Sequence, residues 1–412
     1  MSQRPLRVLM FAEAVTLAHV ARPIALGQAL DPAAYVLTLA CASRYAAFAA
    51  APGWPTVDLP TVPPQQFAQA LAQGQPLYDL TTLQAYVAAD LALIDRHRPD
   101  LIVGDFRLSL SVSARLARVP YLAIVNAYWT PYAPARFPLP VLPLTRRLPL
   151  PVAGALFAIA RPLAFALHCR PMNRLRAQHG LPSLGHDLRR VYSDADHLLI
   201  PDIEALFPMQ GPAEHFSRVG PLSWSPPVPW PAGLGAHAGD LRPVVYVTLG
   251  SSGPPQALLT VLDALRDLPV RVLASTAGGP VPEALPANAS AWPYLPGDQA
   301  AAAASLVVCN GGSLAVQQAL AAGVPVLGLA SNMDQFLNMA PVVAANAGRL
   351  LRTDRLSAAA VRAAAQDLLA STTAQSAARA LAALLRPPGT VAEVFNQAVT
   401  QCLQRAAAVQ AG

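Results

Sequence analysis

The sequence predicts an α/β protein that is built from two doubly wound domains, each with a parallel sheet. At 412 residues the chain is too long for one ordinary core, so two domains are expected. Short apolar runs alternate with helical patterns in the first half, and the same alternation restarts near residue 244. Ligands of such Rossmann-like domains bind at the carboxyl ends of the strands, so we expect the two domains to face a central cleft.

The first half carries the strand and helix patterns of one such domain. The N-terminus superficially looks like a signal peptide, but Glu13 and His19 interrupt its apolar region, which favours a buried first strand. Strands are predicted at Leu6–Phe11, Val36–Ala40, Leu101–Gly104, Tyr121–Val125 and His197–Ile200. Helices are predicted near Val20–Leu30, Leu77–His97 and Ser109–Ala117.

The second half repeats the alternation after a segment rich in Pro and Gly, residues 226–243, which is the predicted linker. The predicted domains are therefore 1–225 and 244–388, followed by a terminal helix in 389–412 that we expect to pack back on the first domain. Strands are predicted at Val244–Thr248, Val270–Ala274, Leu306–Cys309 and Val326–Leu329, and helices at Gln256–Leu265, Ser313–Ala322 and Val391–Ala408.

Composition limits the classes of function. The chain is 54% hydrophobic and 13% charged, and its net charge of +6 suggests anionic partners without pointing to nucleic acid. The cysteines (Cys41, Cys169, Cys309 and Cys402) have no metal-ligand spacing, so we interpret them as buried thiols of a cytoplasmic protein.

Residues 131–186 stand apart because they contain seven Arg and no Asp or Glu. The interpretation we favour is an irregular lid over the first domain whose Arg head groups reach water. The alternative is a surface for an anionic or amphiphilic acceptor, or for peripheral contact with an anionic membrane. Pro149, Pro151, Arg161 and Pro162 argue against a helix that spans a membrane.

One glycine-rich turn, Asn310-Gly311-Gly312-Ser313, follows a predicted strand and opens a predicted helix. Free backbone N–H groups and the positive end of the helix dipole suit this place to a phosphate group. Taken alone, however, Gly-Gly is also a common way to make the turn that any doubly wound sheet requires.

The segment from Tyr294 to Leu351 adds specificity, because it resembles the UDP-glycosyltransferase superfamily of the GT-B fold, including macrolide glycosyltransferases and MurG. In that family an aromatic-x-Pro segment precedes a strand, an HxGxxS/T turn, a helix, a GVP turn and an Asp-Gln pair. The order and spacing match here. The resemblance implies a glycosyltransferase that takes a UDP- or TDP-hexose, with no cofactor and no metal.

The resemblance also implies roles for single residues in donor binding. Tyr294 stands where the family has a Trp that stacks on the nucleotide base, and Asn310 replaces a diphosphate-binding His. Ala315 replaces a Ser or Thr that would donate a hydrogen bond, and Gln318 replaces an acid that holds the ribose. Asn310 cannot carry positive charge and Gln318 is a weaker acceptor than a carboxylate, so donor binding should be weaker or different.

Two further segments complete the implied donor site. Asp334 and Gln335 match the family's pair that binds the sugar hydroxyls. The alternative is structural: an acidic residue at a helix N-terminus followed by a residue exposed to solvent. The Thr248–Gly253 segment, "TLGSSG", matches the family's first phosphate-side turn. The N–H groups of Gly250, Ser251 and Ser252, together with those of Asn310–Ser313, would then meet the charge of the leaving diphosphate.

The first half is expected to supply the catalytic base. The resemblance places His19 in the loop between the first strand and the first helix, where the family holds that base, and makes Asp105 its partner. Taken alone, His19 would be a packing or helix-entry residue, and Asp105 would be equally suited to cap the helix near Ser109.

The predicted reaction is inverting transfer of a hexose from a nucleoside-diphosphate sugar to a hydroxyl of a small or lipid-like acceptor. Two alternatives stay open. The altered positions Asn310, Ala315 and Gln318 could mark a non-catalytic scaffold or activator. A related GT-B epimerase could also act on the nucleotide sugar itself.

Overall fold

The computed structural model describes residues 4–50, 52–134, 136–231, 241–251, 253, 255–385 and 390–411. The chain divides into two compact units. The first contains Met1–Ala135, Pro151–Leu222 and Arg386–Gly412, and the second contains Arg136–Leu150 and Ser223–Leu385.

The first unit is built on a parallel sheet with the order β3-β2-β1-β4-β5-β6-β7 among the described residues. Its inner strand β1 is buried from Val8 to Ala12, as expected for a parallel strand with helices on both faces of the sheet. The strands are β1 Leu6–Ala12, β2 Tyr35–Cys41, β3 Thr56–Asp58, β4 Leu101–Asp105, β5 Tyr121–Ile124, β6 His197–Ile200 and β7 Phe216–Arg218.

The helices of the first unit cover this sheet, and the terminal helix α15 packs against β6 and β7. A hydrogen bond of 2.6 Å from Tyr35 Oη to Asn396 Oδ1 also ties α15 to β2. The helices are α1 Ala18–Gln28, α2 Ala46–Ala50, α3 Pro64–Gln73, α4 Leu80–His97, α5 Leu110–Ala117, α7 Leu150–Gln178, α8 Leu188–Tyr192 and α15 Thr390–Ala411, while α6, Pro143–Arg147, belongs to the second unit.

The second unit has its own parallel sheet, with the order β10-β9-β8-β11-β12-β13 in the described chain. Its strands are β8 Val244–Thr248, β9 Arg271–Ser275, β10 Ala289–Trp292, β11 Leu306–Cys309, β12 Val326–Ala330 and β13 Gly348–Arg352. Its helices after α6 are α9 Pro255–Leu265, α10 Gly297–Ala302, α11 Ser313–Ala321, α12 Met333–Ala344, α13 Ala358–Ala370 and α14 Thr372–Ala383. The two doubly wound sheets confirm the predicted α/β class.

The segment 131–186 differs from the irregular lid that the sequence suggested. Residues 150–178 form one continuous helix, α7, with Pro162 and Pro171 inside it. The prediction of an irregular segment is wrong there, because Ala, Leu and Arg favour the helix strongly enough to tolerate the hydrogen bonds that two prolines remove. Residues Arg136–Leu150 belong to the second unit, where Arg352 Nη1 donates to the carbonyl of Leu139 at 2.7 Å.

Candidate active site

His19 and Asp105 lie together at the carboxyl edge of the first sheet. His19 Nδ1 is 2.8 Å from Asp105 Oδ1, and the Asp105 side chain is fully buried while that of His19 is 18% exposed. Asp105 is the last residue of β4, beside β1 in the sheet. His19 lies in the first turn of α1, so the prediction that it sits in the loop before that helix is wrong.

The alternative role of Asp105 as a helix cap is also wrong. Helix α5 begins after Ser109, whose side chain makes no capping hydrogen bond. The Asp105 carboxylate instead accepts bonds from the side chains of His19 and Arg22, two residues of one helix.

Arg22 was not singled out in the sequence, and it completes this arrangement. Its side chain is buried, its Nε donates to Asp105 Oδ2 at 2.7 Å, and its Nη2 donates to Asp105 Oδ1 at 2.6 Å. Its Nη1 donates to Asn126 Oδ1 at 2.7 Å, and the Asn126 amide donates to Asp202 at 2.7 Å. Burial acts to lower the pKa of Arg22, but the attraction and hydrogen bonds of Asp105, with the nearby Tyr128 and Asp202, together raise it above its ordinary value.

The proton position on His19 follows from these contacts. Arg22 Nη2 is also 2.9 Å from His19 Nδ1, so Nδ1 could accept from Arg22 or donate to Asp105. An unprotonated Nδ1 would aim its lone pair at an anionic oxygen 2.8 Å away, which is repulsive. The Asp105 contact thus favours the tautomer with the proton on Nδ1, in which Nε2 carries the lone pair that a general base requires.

An aromatic cluster surrounds the imidazole. Phe106 stacks on His19 with ring centroids 4.8 Å apart, and its φ of 58° is unusual for a residue with a side chain. Its ring also contacts Tyr192, with centroids 5.4 Å apart, and Phe67 and Tyr78 lie close by. An apolar pocket of the same unit adjoins this cluster, lined by Leu77, Tyr78, Leu83, Leu108, His168, Pro171, Met172, Leu188, Val191 and Tyr192.

A fully buried ionic cluster supports the loop before His19. Arg107 Nη1 donates to Glu13 Oε2 at 2.8 Å, and Arg107 Nε donates to Asp90 Oδ1 at 2.9 Å. Tyr86 donates to Glu13 Oε1 at 2.8 Å, and burial raises the pKa of Glu13 despite the guanidinium of Arg107. These bonds fix the positions from which β1 and β4 present their carboxyl-terminal residues.

The second unit brings its two predicted phosphate-side turns together. Strands β8 and β11 are neighbours, so the turns that follow Thr248 and Cys309 lie side by side. A Cβ added to Gly250 would lie 3.1 Å from Asn310 Nδ2, and Gly250 has a φ of 63°. Asn310 is buried, and its Oδ1 accepts the N–H of Gly312 at 3.0 Å.

Gly311 is required at its position, because its φ is 81° and a Cβ there would lie 2.9 Å from Met339 Cγ. A second residue missed by the sequence reading, Asn338, donates from Nδ2 to the carbonyl of Gly311 at 2.9 Å and is buried. Asn338 therefore anchors the turn to α12. In the sequence, the one feature that could have indicated this role is that Asn338 lies one helical turn after Asp334, on the same side of the helix.

Gln335 lies at the start of α12, but its oxygen is occupied by the chain itself. Oε1 accepts the N–H and hydroxyl of Ser331 at 2.8 and 3.0 Å, and the N–H of Asn332 at 3.3 Å. Its own N–H donates to Asn332 Oδ1, which completes a capping box. The alternative of a solvated Gln335 is therefore wrong, because the side chain is buried.

Gln318 is likewise engaged within the second unit. Its Nε2 donates to the carbonyl of Trp224 at 2.9 Å and is 3.3 Å from Ser225 Oγ. A carboxylate at this position could not donate to that carbonyl. Tyr294 follows β10, and a Cβ on Gly278 would lie 2.2 Å from its hydroxyl oxygen.

The remaining predicted donor-site residues are Ser251, Ser252, Ser313 and Asp334. Ser313 is the first residue of α11, Asp334 lies in the first turn of α12, and Ser251 is exposed beside Gly250. Ser252 lies outside the described residues. Over the described ranges no three His, Cys, Asp or Glu side chains cluster as a metal site, and metal independence stays a prediction.

Comparison with known proteins assigns the family. A family described as UDP-glucoronosyl and UDP-glucosyl transferase matches residues 190–386. A PGL/p-HBAD biosynthesis glycosyltransferase of Mycobacterium tuberculosis is 48% identical over 382 residues, which cover 92% of this chain and 89% of that protein. The chain belongs to the UDP-glycosyltransferase superfamily.

Two other relatives of this glycosyltransferase differ in activity. A PGL/p-HBAD biosynthesis rhamnosyltransferase of Mycobacterium bovis is 48% identical over 383 residues, 93% of this chain and 85% of its own. An inactive PGL/p-HBAD biosynthesis glycosyltransferase of the same species is 46% identical over 260 residues, 63% of this chain and 70% of its own.

Solved structures show the same GT-B fold. The spinosyn rhamnosyltransferase SpnG has a TM-score of 0.68 at 19% identity and covers 95% of this chain, which covers 100% of that one. SpnG complexed with thymidine diphosphate has a TM-score of 0.66 at 19% identity, with 96% and 100% covered. This glycosyltransferase is thus an enzyme of sugar transfer with the fold that the sequence predicted.

Proposed function

We propose that this glycosyltransferase moves a hexose, or a deoxyhexose such as rhamnose, from a UDP or TDP sugar to a hydroxyl of an amphiphilic acceptor, with inversion. The observation that carries the proposal is the 2.8 Å contact between His19 Nδ1 and the buried Asp105 carboxylate. It supports a base whose Nε2 lone pair is available and whose protonated form is stabilised by a fixed anion.

In the proposed reaction, His19 Nε2 removes the proton of the acceptor hydroxyl while its oxygen attacks the anomeric carbon. The bond from that carbon to the diphosphate oxygen breaks on the opposite face, so the configuration inverts. The proton ends on His19 and the electron pair ends on the nucleoside diphosphate. Asp105 offsets the imidazolium charge, and its own second oxygen stays paired with Arg22.

The proposed seat of the diphosphate is the pair of turns at Gly250–Ser251 and Asn310–Ser313. Their proximity across β8 and β11 supports this assignment, as does the start of α11, which has no side-chain cap. Tyr294 is proposed to stack on the base and Asp334 to bind sugar hydroxyls. Neither a cofactor nor a metal is part of the proposal.

An acceptor with an apolar or aromatic part fits the first unit. The cluster of Phe106, Tyr78 and Tyr192 connects His19 to the apolar pocket of that unit. Two relatives are named as PGL/p-HBAD biosynthesis transferases, and we propose for this chain an acceptor of the same chemical kind as theirs. A cytoplasmic location with peripheral membrane contact through residues 131–186 belongs to the same proposal.

Calorimetric titration with UDP and TDP sugars, followed by product analysis with amphiphilic phenols and alcohols, tests the transferase. We expect a donor to bind the wild type and His19→Ala equally, and product of inverted configuration to form only with the wild type. Product formed by His19→Ala at the wild-type rate would remove His19 from the chemistry. Retained configuration would exclude direct displacement.

A non-catalytic relative is the second candidate, and two observations favour it. One similar protein is named inactive, and the side-chain oxygen of Gln335 is engaged by the chain itself. Absence of binding to every nucleotide sugar in the same titration would support this candidate over the transferase.

A further inference from the structure

Helix α7 exposes an unusually large number of apolar side chains. Val152, Leu156, Ile159, Leu163 and Leu167 are 47–79% exposed, with Ile159 at 79% and Leu163 at 68%. Their spacing of four, three, four and four residues places them within an arc of about 80° on an α-helix. They form one continuous stripe along α7, which we call the apolar stripe.

The same arc continues into two arginines. Arg170 and Arg174 follow Leu167 by three and seven residues, so they lie on the same side of the helix, and both are exposed. Within the described part of the chain neither guanidinium has an ion-pair partner. No Asp or Glu occurs between residues 131 and 186, so the helix carries no anion to neutralise them.

The opposite side of the helix is anchored in the first unit. Cys169, Met172 and Leu175 are buried in a hydrophobic cluster with side chains of α4 and α8. By length and composition α7 could cross a membrane, and its most apolar 18-residue window is only 6% buried, so that stretch is exposed. Arg161 interrupts it. Because its second half packs on a soluble core, α7 can lie along a membrane surface but not through it.

We infer that the apolar stripe, together with Arg170 and Arg174, docks on the surface of an anionic lipid bilayer. The apolar side chains enter the boundary between head groups and acyl chains, and the two guanidinium groups contact lipid phosphates. The inference makes the membrane contact of the proposed function specific: it assigns the contact to one face of α7 and requires anionic lipids. It stands or fails separately from sugar transfer.

Charge complementarity favours the bilayer over a second copy of the chain. A symmetric contact would set this face against itself, and the face contains cations but no anion. An anionic bilayer supplies both an apolar interior and an excess of phosphate groups. The apolar side chains would enter the bilayer interior while the two arginines contact lipid phosphates, whereas in a self-contact the arginines of the two copies would repel each other.

Co-sedimentation of the full chain with vesicles tests the inference, using phosphatidylcholine alone and an equal mixture of phosphatidylcholine and phosphatidylglycerol. We expect binding to the mixed vesicles that weakens with added salt, and little binding to phosphatidylcholine alone. Ile159→Gln/Leu163→Gln should weaken the partition coefficient by about tenfold or more. Arg170→Gln/Arg174→Gln should weaken it by about tenfold to thirtyfold.

The matched control is Leu241→Gln/Leu384→Gln, which removes two leucines that are 96% and 62% exposed in the second unit. It should bind vesicles like the wild type. No binding to mixed vesicles, or equal binding by the stripe variant and the wild type, would overturn the inference. Self-association in solution that Ile159→Gln/Leu163→Gln abolishes would assign the stripe to a second copy instead.

Donor titration of the same preparations separates this inference from the proposed function. A variant that loses vesicle binding and still binds its nucleotide sugar is the expected result. If the wild type binds donor but no vesicle, the membrane inference is wrong and the proposed transferase still stands. A wild type that binds vesicles but no donor supports the membrane surface and contradicts the proposed transferase.

Discussion

Replacement of Arg22 by Gln tests whether the guanidinium is part of the catalytic arrangement or only of the core. The substitution removes both charge-assisted bonds to Asp105 and the bond to Asn126. It leaves the Asp105 carboxylate fully buried with His19 as its remaining side-chain partner. Loss of one member of a buried ion pair costs about 3–5 kcal/mol, so we expect the free energy of unfolding to fall by about that amount.

The same substitution should change the pH dependence of catalysis. In the wild type, a protonated His19 lies 2.8 Å from the Asp105 carboxylate and 2.9 Å from the Arg22 guanidinium, which opposes its charge. Two unit charges about 4 Å apart interact by at most about 4 kcal/mol at an effective dielectric constant of about 20. One pH unit corresponds to about 1.4 kcal/mol. We therefore expect the acid limb of kcat/KM to move upward, by no more than about three pH units.

Urea denaturation and pH–rate profiles measure the two effects, and Arg176→Gln is the matched control. Arg176 is also buried and pairs with Asp194 at 2.7 Å, so its loss should lower stability without moving the acid limb. An Arg22→Gln profile that coincides with the wild type would refute the electrostatic coupling to His19. In a double-mutant cycle, Asp105→Asn should recover about 2 kcal/mol or more of the stability that Arg22→Gln loses, since no carboxylate is left unpaired.

Three further outcomes are expected. Asn310→His should tighten donor binding by about tenfold in calorimetry at about pH 6, where the new imidazole is mostly cationic and meets the proposed phosphate seat. Unchanged affinity would place the phosphate elsewhere. Asn338→Leu should cost about 1–3 kcal/mol of stability and weaken donor binding, since it frees the carbonyl of Gly311; unaltered affinity would make this bond purely structural. Burial lowers the pKa of His197 to about 4 from 6.5, so stability should decline by about 3 kcal/mol as pH falls from 6.5 to 4, where only the unfolded chain takes the proton. His197→Gln should flatten that decline in urea titrations, and an equal slope in both proteins would contradict the assignment.

The sequence predicted the central strands well because parallel strands that are buried on both faces leave long apolar runs. Strands β6, β8 and β11 have the predicted bounds. The edge strands β3, β7, β10 and β13 were missed, because each is short, is at least partly exposed and carries no clear periodic signal. Helix α7 was missed because its prolines predict a break, whereas the other residues of the segment are strong helix formers and the helix continues through them.

The sequence indicated site residues only where a reactive side chain lies near the end of a strand that can be recognised in the sequence. His19 and Asp105 were found because each lies near the carboxyl end of a recognisable strand. Arg22 could not be found, because a lone Arg in an amphipathic helix normally reaches water. Its burial depends on a carboxylate 83 positions away. Only the folded chain shows that a cation is shared between the base and its partner.

The altered donor positions acquire a different meaning in the structure. A carboxylate in place of Gln318 would face the carbonyl of Trp224 without a proton to donate, so two acceptors would oppose each other in a buried place. The amide instead ties residues 224–225 to α11. Gln318 is thus matched to a local partner, which a site losing function by drift has no reason to acquire. Its Oε1 is still an acceptor that a ribose hydroxyl could use. Departure from the family's acid is therefore evidence for a rebuilt donor site rather than for an abandoned one, and it favours the transferase over the non-catalytic candidate.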